Sequence, residues 1–132
     1  MTTRRKSRLR ILLSNDDGIF SLGMRALARA MGRTSGSRRS RAPDVWVVAP
    51  EREMSAAGHA ITISNPLRVK EEALHPRTRA FSVDGTPADC VKLAVRALMK
   101  GFLPDVVVSG VNRGANVAHN LIYSGTVSAA TE

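Results

Sequence analysis

Two aspartates stand side by side at positions 16 and 17, framed by Asn15 and Gly18 and preceded by the apolar run Ile11-Leu12-Leu13. Adjacent carboxylates repel each other, and a bound dication removes that cost. Gly18 lets the backbone turn tightly beside them. On its own an Asp-Asp-Gly string is a solvated turn. Directly behind a buried strand it becomes a candidate for metal binding. Further along, Ser55 offers a hydroxyl and His59 an imidazole within Glu51 to His59, although a lone histidine is commonly structural. The stretch Gly110-Val111-Asn112-Arg113-Gly114-Ala115-Asn116 offers amide oxygens and an arginine on a glycine-rich loop. Ser124-Gly125-Thr126 reads as a helix start, whose free N–H groups and hydroxyls suit an anion unless they serve only as a cap. The donors are hard oxygens without a Cys or His cluster, which favours Mg²⁺ or Mn²⁺ over Zn²⁺. A hard metal beside an anion site is equipment for phosphate chemistry.

These residues need a scaffold, and the apolar pattern supplies one. Ile11 to Leu13 reads as a short buried strand. Ser21 caps a predicted helix over 22–31 with Met24, Leu27, Ala28 and Met31 on one face, and Gly32 as its stop. Residues 33–43 read as a surface loop, and Val45 to Val48 as a second strand. Ala60 to Ile63 and Leu67 to Val69 are short extended pieces, and Arg79 to Val83 is a further strand. Thr86-Pro87-Ala88-Asp89 opens a helix with a cap, a first-turn proline and an acid at the third position. Its buried face is Val91, Ala94, Val95 and Leu98, and Gly101 ends it. Asp105 to Ser109 is an apolar strand. Continuous apolar strands alternating with amphipathic helices imply an α/β fold with a mostly parallel sheet covered on both faces. Ligands in such sheets bind beyond the carboxyl ends of the strands, where every candidate above lies.

Composition narrows the classes. The chain has 132 residues, room for one domain. One cysteine excludes an internal disulfide and a Cys-rich zinc site, and points to a reducing compartment. No apolar run approaches the ~20 residues of a membrane span, and no signal-peptide core follows the basic start, so a cytoplasmic location is expected. The net charge of +9 resides entirely in residues 1–10 and 33–41, and the rest balances. Residues 1–9 read as a disordered basic arm, and the arm and loop as solvated features. A nucleic-acid-binding module would use that charge, but it explains none of the Asp, Asn and Gly placements. There is no GxxxxGK[ST] and no GxGxxG after a strand, so neither a P-loop nor a dinucleotide site is supported. A receiver-type signalling domain lacks its acceptor Asp, since the 105–109 strand ends in Ser-Gly, and no Lys follows position 100.

Four strings in order, ILLSNDDGI, VVAPE with SAAGHAIT, VDGTPADCVKLA, and VSGVNRGAN with YSGTVSAA, resemble the survival protein E (SurE) family of metal-dependent nucleotidases. The resemblance covers residues 10–132. It implies a Rossmann-like three-layer α/β fold and one divalent ion, Mg²⁺ or Mn²⁺, held by Asp16, Asp17, Ser55 and Asn112. It implies acid phosphatase activity on nucleoside 5′- and 3′-monophosphates, with trimming of short polyphosphate in some members. Assembly as a homodimer or homotetramer is expected of the full-length family. Ala118 stands where the family usually has a glycine, and the 33–43 loop resembles an insertion. Family members are about twice as long, so residues 10–132 correspond to the N-terminal part of such a domain. An inactive fragment of a nucleotidase is therefore an alternative reading.

The mechanism this implies is metal-assisted phosphomonoester hydrolysis at Asp16 and Asp17. Asn15, Gly18, His59, Asn116, Ser124, Gly125 and Thr126 are the expected phosphate or substrate contacts, with His59 a candidate to protonate the leaving oxygen. The nucleophile is either a water or one of the two aspartates, and the residues leave both open.

Overall fold

The computed structural model describes residues 8–33, 41–54, 60, 62–114, 126, 129 and 130. Along the chain come β1 (Arg10–Ser14), α1 (Leu22–Arg33), β2 (Asp44–Pro50), β3 (Val69–Glu72), β4 (Thr78–Val83), α2 (Pro87–Leu93) and β5 (Val106–Ser109). The five strands form one sheet in the order β3-β4-β2-β1-β5. β1, β2, β4 and β5 are parallel, and β3 runs antiparallel to β4 at one edge.

Side chains alternate between the two faces of a strand, so each apolar run feeds two cores. Ile11, Leu13, Val45, Val47, Ala49 and Ala80 form one core with Met24 and Ala28 of α1. Leu12, Trp46, Val48 and Val83 form the other with Cys90, Val91 and Ala94 on the second helical segment. Helix, sheet and helix make three layers, as expected of the α/β reading. Each fully buried large aliphatic side chain contributes about 1.5–3 kcal/mol relative to exposure. Cys90 belongs to this interior, and burial, reinforced by the Asp89 charge, pushes its thiol pKa up and leaves it unreactive. No helix among the described residues is long and apolar enough to cross a membrane.

Both helix starts follow the sequence. Ser21 Oγ accepts the Met24 N–H at 3.3 Å. Thr86 and Asp89 form a reciprocal capping box with Pro87 in the first turn. Asp89 also accepts from the Thr62 N–H and hydroxyl at 3.0 and 2.7 Å. Residues 60, 62 and 63 join no strand, and Thr62 is tied to this helix start instead.

Further features depart from expectation. Gly32 lies within α1 instead of ending it, and a Cβ there would sit 2.7 Å from His75 Nδ1. It is a close-approach glycine that lets the helix press on the turn between β3 and β4. The extended piece predicted to end at Val69 is instead a strand starting there, and its VKEE sequence is mostly exposed. Charged residues suit an edge strand and leave no apolar alternation to read. Strand β4 starts one residue early, at Thr78. Residues Ala94–Leu98 are π-helical, with the Met99 N–H reaching Ala94 O at 2.7 Å. Gly101, at φ +80°, follows as the expected stop.

Candidate active site

From β1 the chain steps one way to β2 and on to β4, while β5 flanks β1 on the other side. The sheet therefore switches direction between β1 and β5, and the crevice beyond their carboxyl ends is where such sheets bind ligands. Ser14 and Ser109 end the two strands in register, and the Gly110 N–H bonds to Ser14 O at 2.9 Å. The aspartate pair and the Asn112 loop are delivered to this crevice by neighbouring strands.

The turn after β1 is clamped from within. Asn15 is fully buried, and its Nδ2 donates to Gly18 O and to Ser21 Oγ, each at 3.0 Å. The amide thus locks the turn to the cap of α1 and does not face solvent. Gly18 has φ +96°, and a Cβ there would lie 3.1 Å from the Arg52 carbonyl carbon. Both the left-handed conformation and the close backbone approach require glycine. The Ile19 N–H bonds to Pro50 O at 2.8 Å and the Met54 N–H to Asp16 O at 2.7 Å. The loops after β1 and β2 are therefore stitched together up to the residue before Ser55.

The two carboxylates have different surroundings. Asp16, nearly buried, accepts from the Thr126 hydroxyl at 2.7 Å. The same Thr126 oxygen lies 3.3 Å from Asn112 Oδ1. Asn112 is oriented by its Nδ2, which donates to Gly114 O at 2.6 Å, so its oxygen faces the aspartate side. Ala129, three residues beyond Thr126, is buried in the second core. Asp17 accepts from the backbone N–H of Arg113 at 3.0 Å. Burial, then the Asp16 charge, and more weakly Glu53, raise its pKa above the ordinary aspartate value, against the pull of Arg113.

This donor set fits a hard dication. Thr126 has one hydroxyl proton, yet two oxygens, Asp16 Oδ1 and Asn112 Oδ1, converge on it. Asp17 adds a second carboxylate whose charge is disfavoured where it stands. Buried oxygens nearby, Ser14 Oγ, Asn15 Oδ1 and Ser109 Oγ, have no hydrogen-bond partner among the described residues. A cation among the oxygens of Asp16, Asp17 and Asn112 would relieve both the repulsion and the surplus of acceptors.

Asp17 and Asn112 open onto a cleft of about 420 Å³. Glu53 and Arg113 add charge to its lining, and Leu22, Gly23 and Val111 add an apolar part. Reading by residue type did not single out Leu22, Glu53 or Val111. Arg113 acts on Asp17 through its backbone, which no side-chain pattern reveals. Of the expected site, Asn15, Asp16, Asp17, Gly18, Asn112 and Thr126 come together here. Thr126, expected to contact phosphate, spends its hydroxyl on Asp16. Ser55, His59, Asn116, Ser124 and Gly125 lie outside the described residues, as do Ala118 and residues 1–7 of the basic arm.

A family model described as "Survival protein SurE" matches residues 11–132. The chain belongs to the SurE family. Among relatives, the 5′-nucleotidase SurE of Myxococcus xanthus is 54% identical over 123 residues, covering 93% of this chain and 42% of its own. That of Paramagnetospirillum magneticum is 52% identical over 126 residues, covering 96% and 44%. The crystal structure of a SurE protein from Aquifex aeolicus superposes with a TM-score of 0.72 at 41% identity, covering 92% of this chain and 45% of that one. The chain thus spans less than half the length of these SurE relatives. The Asp16-Asp17 turn and the Asn112 loop both lie in the SurE-matched region.

Proposed function

We propose that the protein is a metal-dependent phosphomonoesterase that hydrolyses nucleoside 5′-monophosphates, and 3′-monophosphates, to nucleoside and phosphate. The observation that carries the reading is the convergence of Asp16, Asn112 and Thr126 oxygens beside Asp17 at the β1/β5 crevice. The relatives' name, 5′-nucleotidase, supports the substrate class. Short polyphosphate belongs to the same phosphoryl chemistry. A cytoplasmic homodimer or homotetramer is part of the same reading.

Asp16, Asp17, Asn112 and Ser55 would hold one Mg²⁺ or Mn²⁺ ion. When bound, that ion supplies Lewis-acid polarisation of the phosphoryl oxygens and lowers the pKa of a water. The chain's own residues do the rest. Thr126 fixes the Asp16 carboxylate by donating its proton. The Arg113 N–H fixes Asp17, and the Arg113 side chain supplies positive charge at the cleft for a phosphate dianion. Asn116, Ser124 and Gly125 would take the remaining phosphate oxygens, and His59 would protonate the leaving oxygen.

Phosphate release from nucleoside monophosphates by the 132-residue chain, with Mn²⁺, Mg²⁺ or chelator, tests this. The Asp17→Asn variant should lose at least a hundredfold in metal-dependent release, beyond the 10–100-fold typical of losing an outer-shell partner. The chelated variant should melt no lower than the parent, because the charge it loses is disfavoured in the fold. Full metal-dependent turnover by Asp17→Asn, or none by the parent with either ion, refutes the reading.

A further inference from the structure

The cleft beside Asp17 has a wall the phosphate chemistry does not use. Leu22 is 87% exposed and Val111 is 55% exposed, and both line this cleft. Adjoining aliphatic side chains that line a cleft make the kind of apolar patch that ligand-binding grooves expose. The two are held together by Gly23. A Cβ on Gly23 would lie 2.9 Å from Val111 O and 3.4 Å from Val111 Cβ. The first turn of α1 therefore rests directly on Val111, and Leu22 and Val111 form one apolar shelf.

The shelf is close to the reacting end. The Arg113 N–H donates to Asp17 Oδ2 at 3.0 Å, and Val111 lies two residues before it. Two residues span at most about 7 Å, which is about the reach of a ribose from its phosphorus. A phosphate held at Asp16, Asp17 and Asn112 would thus place the group beyond the sugar over Leu22 and Val111. We infer that Leu22 and Val111 form the platform for the nucleobase of the substrate. This rests on the nucleotidase reading. Neither side chain carries a polar atom, so the platform accepts the face of any base and selects nucleotides over bare sugar phosphates.

An aliphatic platform for the face of a base should favour the nucleotide about tenfold, which corresponds to about 1.4 kcal/mol. The test compares AMP with ribose 5-phosphate. In the parent, kcat/KM for AMP should exceed that for ribose 5-phosphate about tenfold. In Leu22→Ser and Val111→Ser the ratio should fall to within about twofold, through a raised KM for AMP rather than a lowered kcat. Leu22→Met should keep it. In chelator, adenosine alone should shift the Leu22 and Val111 methyl resonances. A parent ratio near one, or a ratio preserved in both serine variants, overturns the platform and leaves the phosphatase reading intact. No phosphate from either substrate overturns the phosphatase reading, and the methyl resonances then decide the platform: unshifted, they refute it.

Discussion

Replacing Thr126 by valine keeps the shape of the side chain and removes the proton it donates to Asp16. That hydrogen bond is 2.7 Å long, and both residues are only 9% exposed. A hydrogen bond to a charged group contributes about 1.5–3 kcal/mol net, and its loss leaves the carboxylate short of a donor. Taking about 2 kcal/mol and an unfolding entropy of about 2.1 cal/mol/K per residue, Tm should fall by about 7 °C for this chain. Thr126→Ser keeps the hydroxyl and should lose only the methyl contact, less than half of that drop. The assay is thermal unfolding by circular dichroism in chelator at neutral pH, so that no cation substitutes for the missing proton. A valine variant melting within about 2 °C of the parent would refute the idea that Thr126 secures Asp16. So would a serine variant as unstable as the valine one.

The other predictions concern the supports of the site. Asp89 is pulled up by burial, but hydrogen bonds from Thr86 and Thr62 outweigh this and leave its pKa below the ordinary value. Its contribution is therefore present above the unfolded-state pKa and is lost as pH falls through the lower folded value. Denaturant melts between pH 6 and about pH 3 should show this slope, and Asp89→Asn should flatten it. Gly18→Ala forces a side chain into φ +96° and against Arg52, so it should cost more than about 1 kcal/mol and reduce phosphate release. Unchanged stability would show that the turn relaxes freely. Among the described residues β5 has β1 as its strand neighbour on one side, and Phe102, Leu103 and Val106 are 57%, 62% and 43% exposed. Such an edge templates association. The chain should self-associate in sedimentation, and Val106→Lys should shift it towards monomer.

The parts of the fold that rest on local chemistry were legible. Thr86, Pro87 and Asp89 build the cap their order suggests, and the runs at 11–13, 45–48 and 106–108 lie in parallel strands. Where neighbours decide, the residues were silent. Lys70, Glu71 and Glu72 carry no strand periodicity because only an edge accepts them. Gly32 resembles a helix stop until His75 is seen against it. The π-helical turn at Ala94–Leu98 has no compositional mark. Asp16 and Asp17 could be named as candidates because they follow a buried strand. That Thr126 is spent on Asp16 could not be read, since their pairing depends on the folded path of 110 residues.

That separation has a kinetic consequence. Asp17 meets the Arg113 N–H across 96 positions, and Asp16 meets Thr126 across 110. The constellation therefore assembles only after β5 has docked beside β1. A cation clasped there would act as a removable staple between distant stretches of one polypeptide. It would restrain a loop of about a hundred residues, where such a clip has most entropy to remove. Because it would engage the finished topology and not the open chain, its occupancy would slow unravelling. A ligand at a hundred times its Kd shifts that balance by about 2.7 kcal/mol. Resistance to proteolysis should thus track free divalent ion even with no nucleotide in solution.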